Sequence, residues 1–200
     1  LGQFAKWAGI EIDLKPYKGK YSPSQIERNI PTDEAIVEAV SSIKNNDWRW
    51  AAAMMAAFGL RDHECWSVTL AQENGEYLAL VEKGKTGART VRPLRPEWVE
   101  LWDLPNGKPP QIKTRGHEEY GERMSRHFKR SGIQFCPYDL RHAYALRSSV
   151  RYKIPVSVSA AHMGHSPEVH MKTYNKHLSE VAKRSAYDEA IRIAKLTSAN

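Results

Sequence analysis

Apolar positions beyond residue 31 recur mostly at helical spacing, with one stretch that alternates as strands do. Thr32 is a suitable helix N-cap, followed by Asp33 and Glu34 in a first turn, where carboxylates are favoured. Ile36, Val37, Val40 and Ile43 then repeat every three to four residues. The run NNDWRW at 45–50 marks a break. A second helix carries Trp48, Met54, Met55 and Phe58 among alanines, and Gly59 is placed to end it. Residues 77–83 and 89–94 suit two strands, with GKTGA as the turn of a hairpin. A Pro/Gly-rich loop follows at 104–117, then a basic polar helix over 118–131 stopped by Gly132.

Pro137 fits the first position of a helix whose apolar face is Leu140, Ala143, Leu146 and Val150. Pro155 opens either another helix or, since VSVS alternates, a strand. Ser166 caps a short helix running towards Tyr174, and Ser179 and Glu180 begin a last helix over 179–195. The pattern predicts a mainly α fold with a small antiparallel β-sheet, an α+β domain over 32–200. Residues 1–31 are polar and rich in Lys, Pro and Gly. They read as a linker from an absent upstream domain, and Leu1 in place of Met fits a fragment.

Composition adds two constraints. Lys and Arg total 30 against 23 Asp and Glu, a net charge of +7, which favours a polyanionic partner. Cys65 and Cys136 show no disulfide or zinc spacing, so we expect two reduced, partly buried thiols in a cytoplasmic protein. No apolar run approaches the ~18 residues of a membrane span.

Four segments hold residues suited to chemistry: GLRDHE at 59–64, EKGKTGARTVRPL at 82–94, YDLRH at 138–142 and HMGHSPEVHMKTY at 162–174. Singly, each has an ordinary explanation. Arg61 after a helix is a solvated arginine, and Lys85 is an exposed turn lysine. Tyr138 and Arg141 share a helix face, His165 is a loop histidine, and Tyr174 is a half-buried aromatic. His162, His165 and His170 invite a zinc reading, but further ligands of the right geometry are missing, and no metal or other cofactor is expected. The chain also lacks a phosphate-binding loop of the G-x-x-x-x-G-K-S/T kind.

Taken in order, these segments resemble the catalytic signature of the tyrosine recombinase, or phage integrase, family. Gly59-Leu60-Arg61 with Glu64 matches the first arginine box, and Lys85, eight residues before Pro93, matches the hairpin lysine. Asp139-Leu140-Arg141-His142 matches the second arginine box, Met163-Gly164-His165-Ser166 the histidine box, and Tyr174 stands nine positions after His165. One position departs: Tyr138 stands where the family has His. A phenol can bind a phosphate oxygen but is a poor proton carrier near neutral pH.

The resemblance implies a site-specific DNA recombinase of a phage or mobile element, acting through a 3′-phosphotyrosine. Tyr174 would be the nucleophile, Arg61 and Arg141 would hold the phosphate, and Lys85 would be the general acid. His165 would assist and Tyr138 would take the usual His position, with Glu64 supporting Arg61. It further implies double-stranded DNA as partner, a homo-oligomer on that DNA (a tetramer in the synaptic complex), a nucleoid location, and a core-binding domain upstream of the linker. A DNA-binding module of the same fold without catalysis is the alternative, favoured by Tyr138 alone.

Overall fold

The computed structural model describes residues 6–10, 30–82, 87–114 and 116–174, with Arg184, Tyr187, Asp188, Ile191, Arg192 and Lys195; for Thr173 and Tyr174 it describes the backbone only. The Thr32 hydroxyl accepts the Ala35 amide at 3.3 Å and starts helix α1, Asp33–Ser42. Asn45 caps α2, Asn46–Phe58, in the same way, accepting the Trp48 amide at 3.1 Å. Every residue of α2 from Trp50 to Phe58 is buried. Five of these are alanines, whose small side chains let neighbouring elements close on the helix from all sides. It is the axis of the core.

Gly59 ends α2 at φ 62°, its amide bonded to the Met55 carbonyl at 3.0 Å. The sheet has three strands, not the two expected: β1, Val68–Glu73, precedes β2, Glu76–Val81, and β3, Arg89–Val91, in the antiparallel order β1-β2-β3. Glu73 pairs with Glu76 across Asn74-Gly75, both at positive φ, as a two-residue hairpin requires. That dipeptide was the overlooked signal for β1. The third strand stops at Val91 rather than residue 94, because Pro93 has no amide to give a ladder.

Helix α3, Glu97–Leu101, had no counterpart in the periodicity, being too short to show one. A single 3-10 turn, Leu104–Asn106, opens the expected loop, and α4, His117–Arg130, follows one residue earlier than predicted. Pro137 begins α5, Pro137–Leu146. The predicted continuation to Val150 is instead a π-turn, Arg147–Arg151, in which the Tyr152 amide reaches back five residues to the Arg147 carbonyl at 2.9 Å. Pro155 caps a helix, α6, Val156–Met163, which overturns the strand alternative at 156–159. Ser166 then accepts the Val169 amide at 3.4 Å and α7 spans Pro167–Tyr174. Neither cysteine is in a disulfide; both were expected to be partly buried, but Cys65 is fully buried and Cys136 is exposed at the lip of α5.

Residues 1–5 and 11–29 of the linker expected over 1–31, Lys83 to Thr86 of the expected turn, and most of the expected last helix lie outside the described residues. No helix among the described residues is long and apolar enough to cross a membrane.

Candidate active site

The site grows from the left-handed turn at Gly59. That turn sends the chain into Arg61, which leads a 3-10 turn, Asp62–Trp66, while Leu60 anchors in the core. Glu64 folds back within this turn. Its Oε2 accepts the Arg61 amide at 2.8 Å and its Oε1 accepts Arg61 Nη1 at 2.7 Å. The same carboxylate receives Arg89 from β3, Nη1 to Oε1 at 2.9 Å and Nη2 to Oε2 at 2.6 Å. Burial alone would raise the Glu64 carboxyl, but the Arg89 bonds and charge, with the Arg61 amide and charge, bring it down to about 2.

A second anchor is the C-terminal end of α6, where helix carbonyls lack partners and the dipole is negative. Three successive carbonyls there each accept one guanidinium. His162 takes Arg89 Nε at 2.8 Å, Met163 takes Arg141 Nη2, and Gly164 takes Arg61 Nη2 at 2.7 Å. Arg141, fully buried on α5, also gives Nη1 to the Gly59 carbonyl at 2.6 Å and so ties the ends of α2 and α6 together. Gly164, at φ 60°, turns the chain out of α6 and delivers His165 beside these cations.

His165 is held far below the ordinary imidazole range, at about 3, chiefly by burial, then by Arg141, His170, Arg61 and Arg89. It is therefore neutral near pH 7. Its Nε2 lies 2.9 Å from Nδ1 of His170 on α7, and His170 Nε2 lies 3.1 Å from Ser149 Oγ in the π-turn.

Arg61, Arg141 and His165, separated widely in sequence, thus converge on the end of α6, and Glu64 supports Arg61 as expected. Tyr138 sits on α5 with 39% of its surface exposed, its ring edge-on to His142 at 5.1 Å. Tyr174 is the last residue of α7, a helix that packs on α6 and α5. Its side chain, and Lys85 entirely, lie outside the described residues. Sequence reasoning missed Arg89 and His170 as members of the cluster. Arg89 shares a strand face with buried Val91, and a charge on a core-facing strand position is a signal of pairing. His170 had been weighed only as a metal ligand. Among the described residues no group of three or more His, Cys, Asp or Glu is arranged to hold a metal ion.

The arrangement presents three guanidiniums against one carboxylate, a local excess of positive charge suited to an anion such as a phosphodiester. No protein-family model matches the chain. Two proteins of Nostoc sp. (strain PCC 7120 / SAG 25.82 / UTEX 2576) are similar along nearly all of it. Excisase A is 33% identical over 225 residues, covering 96% of this chain and 47% of that protein. Excisase C is 32% identical over 215 residues, covering 92% and 42%. The chain spans about half the length of these curated relatives. Among solved structures, XerA recombinase aligns with a TM-score of 0.56 at 16% identity, over 94% of this chain and 72% of that one. A lambda integrase dimer bound to a COC′ core site gives 0.53 at 16% identity, over 84% and 55%. The Tn1549 transposon integrase in complex with transposon right end DNA gives 0.52 at 15%, over 95% and 75%. At such identities the structural likeness speaks for the fold.

Proposed function

The chain belongs to the tyrosine recombinase family and has the fold of its catalytic domain, and from that premise we propose that it is a site-specific DNA recombinase that cuts and rejoins strands through a covalent bond to Tyr174. The observation that carries this reading is the meeting of Arg61, Arg141 and His165 around the end of α6. A guanidinium has five N–H donors, so anchoring Arg61 and Arg141 on carbonyls fixes their orientation without exhausting them. Fixed donors of this kind stabilise the charge that builds on a phosphate under attack.

In the proposed reaction the Tyr174 oxygen attacks phosphorus as its hydroxyl proton passes to water, and the bond from phosphorus to the 5′-oxygen breaks. That oxygen takes a proton from Lys85. A 3′-phosphotyrosine and a free 5′-hydroxyl result, and attack by another 5′-hydroxyl reverses the step. His165, neutral, donates a ring N–H to a phosphate oxygen; Tyr138 offers its phenol in place of the family's His. Because the phosphodiester energy is kept in the tyrosyl ester, no nucleotide is consumed. The wider reading extends the family resemblance. Double-stranded DNA is the partner, and several copies assemble on it, as a tetramer at synapsis, within the nucleoid. Residues 1–31 would link this domain, 32–200, to a core-binding domain, the arrangement that the greater length of the Nostoc relatives leaves room for.

Covalent trapping tests this reading. The protein is incubated, without metal or ATP, with a pool of nicked duplexes whose central segment is randomised, and adducts are mapped by peptide mass spectrometry. An adduct on Tyr174 at a 3′-phosphate, absent from Tyr174→Phe, supports it. DNA that is bound and never attached to protein supports instead a binding module without catalysis, the reading to which the Tyr138 departure points.

A further inference from the structure

Behind His165 a line of side chains leads away from the arginines: His165 Nε2 to His170 Nδ1 at 2.9 Å, then His170 Nε2 to Ser149 Oγ at 3.1 Å. The three come from separate elements, the turn after α6, helix α7 and the π-turn after α5. His170 is almost wholly buried, only 2% exposed, so its two ring nitrogens answer to neighbours rather than to water. The rings of His165 and His170 meet edge-on at 67°, so the contact is not a stack. π-turns often mark functional positions, and this one carries Ser149.

We propose that His170, itself oriented by Ser149, is a positioning residue that selects the tautomer and ring orientation in which His165 meets the phosphate. This rests on the reading of His165 as a phosphate-facing group. Neither imidazole readily takes up a charge. Burial is the main cause for both, and the guanidiniums facing the pair are Arg141 from α5, Arg61 after α2 and Arg89 from β3. Between two neutral rings the shared bond holds one proton. If His165 Nε2 keeps it, His165 Nδ1 is an acceptor; if His170 Nδ1 keeps it, His165 Nδ1 is protonated and donates. With His165 donating to the phosphate, His170 Nδ1 keeps that proton and the Ser149 hydroxyl donates to His170 Nε2, which favours this form over the other. The bond thus links the proton on the far nitrogen of His170 to the proton His165 offers, and α7 carries both His170 and Tyr174. Tautomer control of a reacting imidazole by a buried partner has large kinetic effects in other enzymes.

The test uses the 200-residue chain labelled with 15N, and reads the His165 ring by two-bond proton–nitrogen correlation between pH 5 and 8. In the wild type one neutral tautomer is expected throughout. In His170→Ala and in Ser149→Ala the ring is expected to average between tautomers or to titrate. In His170→Asn, whose side-chain amide can stand near the position of Nδ1, the single tautomer is expected to return. Should His170→Ala not fold, Ser149→Ala and His170→Asn decide the matter. An unchanged His165 in every folded variant overturns the proposal. Cleavage of the duplex selected by trapping gives a second reading. His170→Ala should slow it by about tenfold or more with an altered pH profile, and His170→Asn should recover most of the loss. Equal rates and equal profiles overturn the proposal. A wild type that forms no Tyr174 adduct refutes the recombinase reading instead, while the nitrogen spectra still decide the role of His170.

Discussion

Glu64 and Arg89 meet as a two-pronged pair, with Nη1–Oε1 at 2.9 Å and Nη2–Oε2 at 2.6 Å, and hold β3 against the turn that carries Arg61. The Glu64 side chain is wholly inaccessible and that of Arg89 nearly so. Removing one partner of a buried pair typically costs about 3–5 kcal/mol, and without Arg89 the Glu64 carboxylate would keep only Arg61. Arg89→Ala should lose stability on that scale in urea unfolding followed by tryptophan fluorescence. Arg89→Lys should recover only part of it, because an ammonium cannot reproduce the fork or the third bond to His162. Loss below about 1 kcal/mol in Arg89→Ala would show that the pair contributes little net stability.

The pH dependence of Glu64 has a definite sign. Its carboxyl is depressed in the folded state, from 4.5 to about 2. The stabilisation is therefore complete above pH 4.5 and is lost as pH falls towards 2. Over that window the group should account for roughly 3 kcal/mol of acid destabilisation. Glu64→Gln should be less stable at pH 7 and flatter between pH 4.5 and 2. Parallel wild-type and variant curves across that range would contradict this.

Two glycines at positive φ should respond differently to a methyl group. Gly59 has φ 62°, and a Cβ there would stand 2.6 Å from the Tyr144 ring. Gly75 has φ 83° with open space around it. Gly75→Ala should cost about 1 kcal/mol from backbone strain, and Gly59→Ala clearly more, since α2 and α5 must also separate. Equal melting shifts for the two would contradict the close approach of Tyr144.

Asp33 collects three guanidiniums, Arg147 at 2.6 Å and Arg95 and Arg151 at 3.0 Å. Arg147 is buried, with its second terminal nitrogen on the Ala56 carbonyl at 2.8 Å, whereas the Arg151 side chain is 55% exposed. Arg151→Ala should change stability by no more than about 1 kcal/mol. Asp33→Ala strips Arg147 of its counter-charge and should cost several times as much. Denaturant midpoints measured side by side check the ordering.

For the reaction, Arg141→Ala is expected to abolish Tyr174 attachment while DNA binding, measured by gel shift, only weakens. Arg141 also ties Gly59 to Met163, so a folding check must accompany it. Arg141→Lys retains the charge and should still fall by about 10² or more, because one ammonium cannot replace an oriented fork. A folded Arg141→Lys or Arg141→Ala that cleaves normally removes Arg141 from the active site.

Where the chain obeys local rules, its sequence was readable. Thr32, Gly59, Pro137 and Ser166 each sit at the helix boundary their chemistry implies, whereas the break read over 45–50 is already helix from Asn46. What escaped was tertiary. The strand β1 is half polar and depends on β2 for its definition, though Asn74-Gly75 announced the turn. The π-turn at Arg147–Arg151 breaks a pattern that α-periodicity simply continued to Val150. Arg61, Arg141 and His165 could be placed in one site only through a family resemblance, since no spacing reveals that their partners are carbonyls of a distant helix. Arg89 and His170 lay outside that signature, and their parts emerge from burial and contact alone.

The three carbonyls at the end of α6 have an evolutionary corollary. A side-chain acceptor can be erased by a single codon change, whereas a peptide oxygen survives any replacement of the residue that bears it. His162 and Met163 can therefore vary, within the limits of packing, and still present oxygens to Arg89 and Arg141. What cannot vary freely is the route of the chain, which Gly164 fixes by leaving α6 through φ 60°. The orientation of the guanidiniums is stored in a path, and the mutational target for losing it is narrower than the number of contacts suggests.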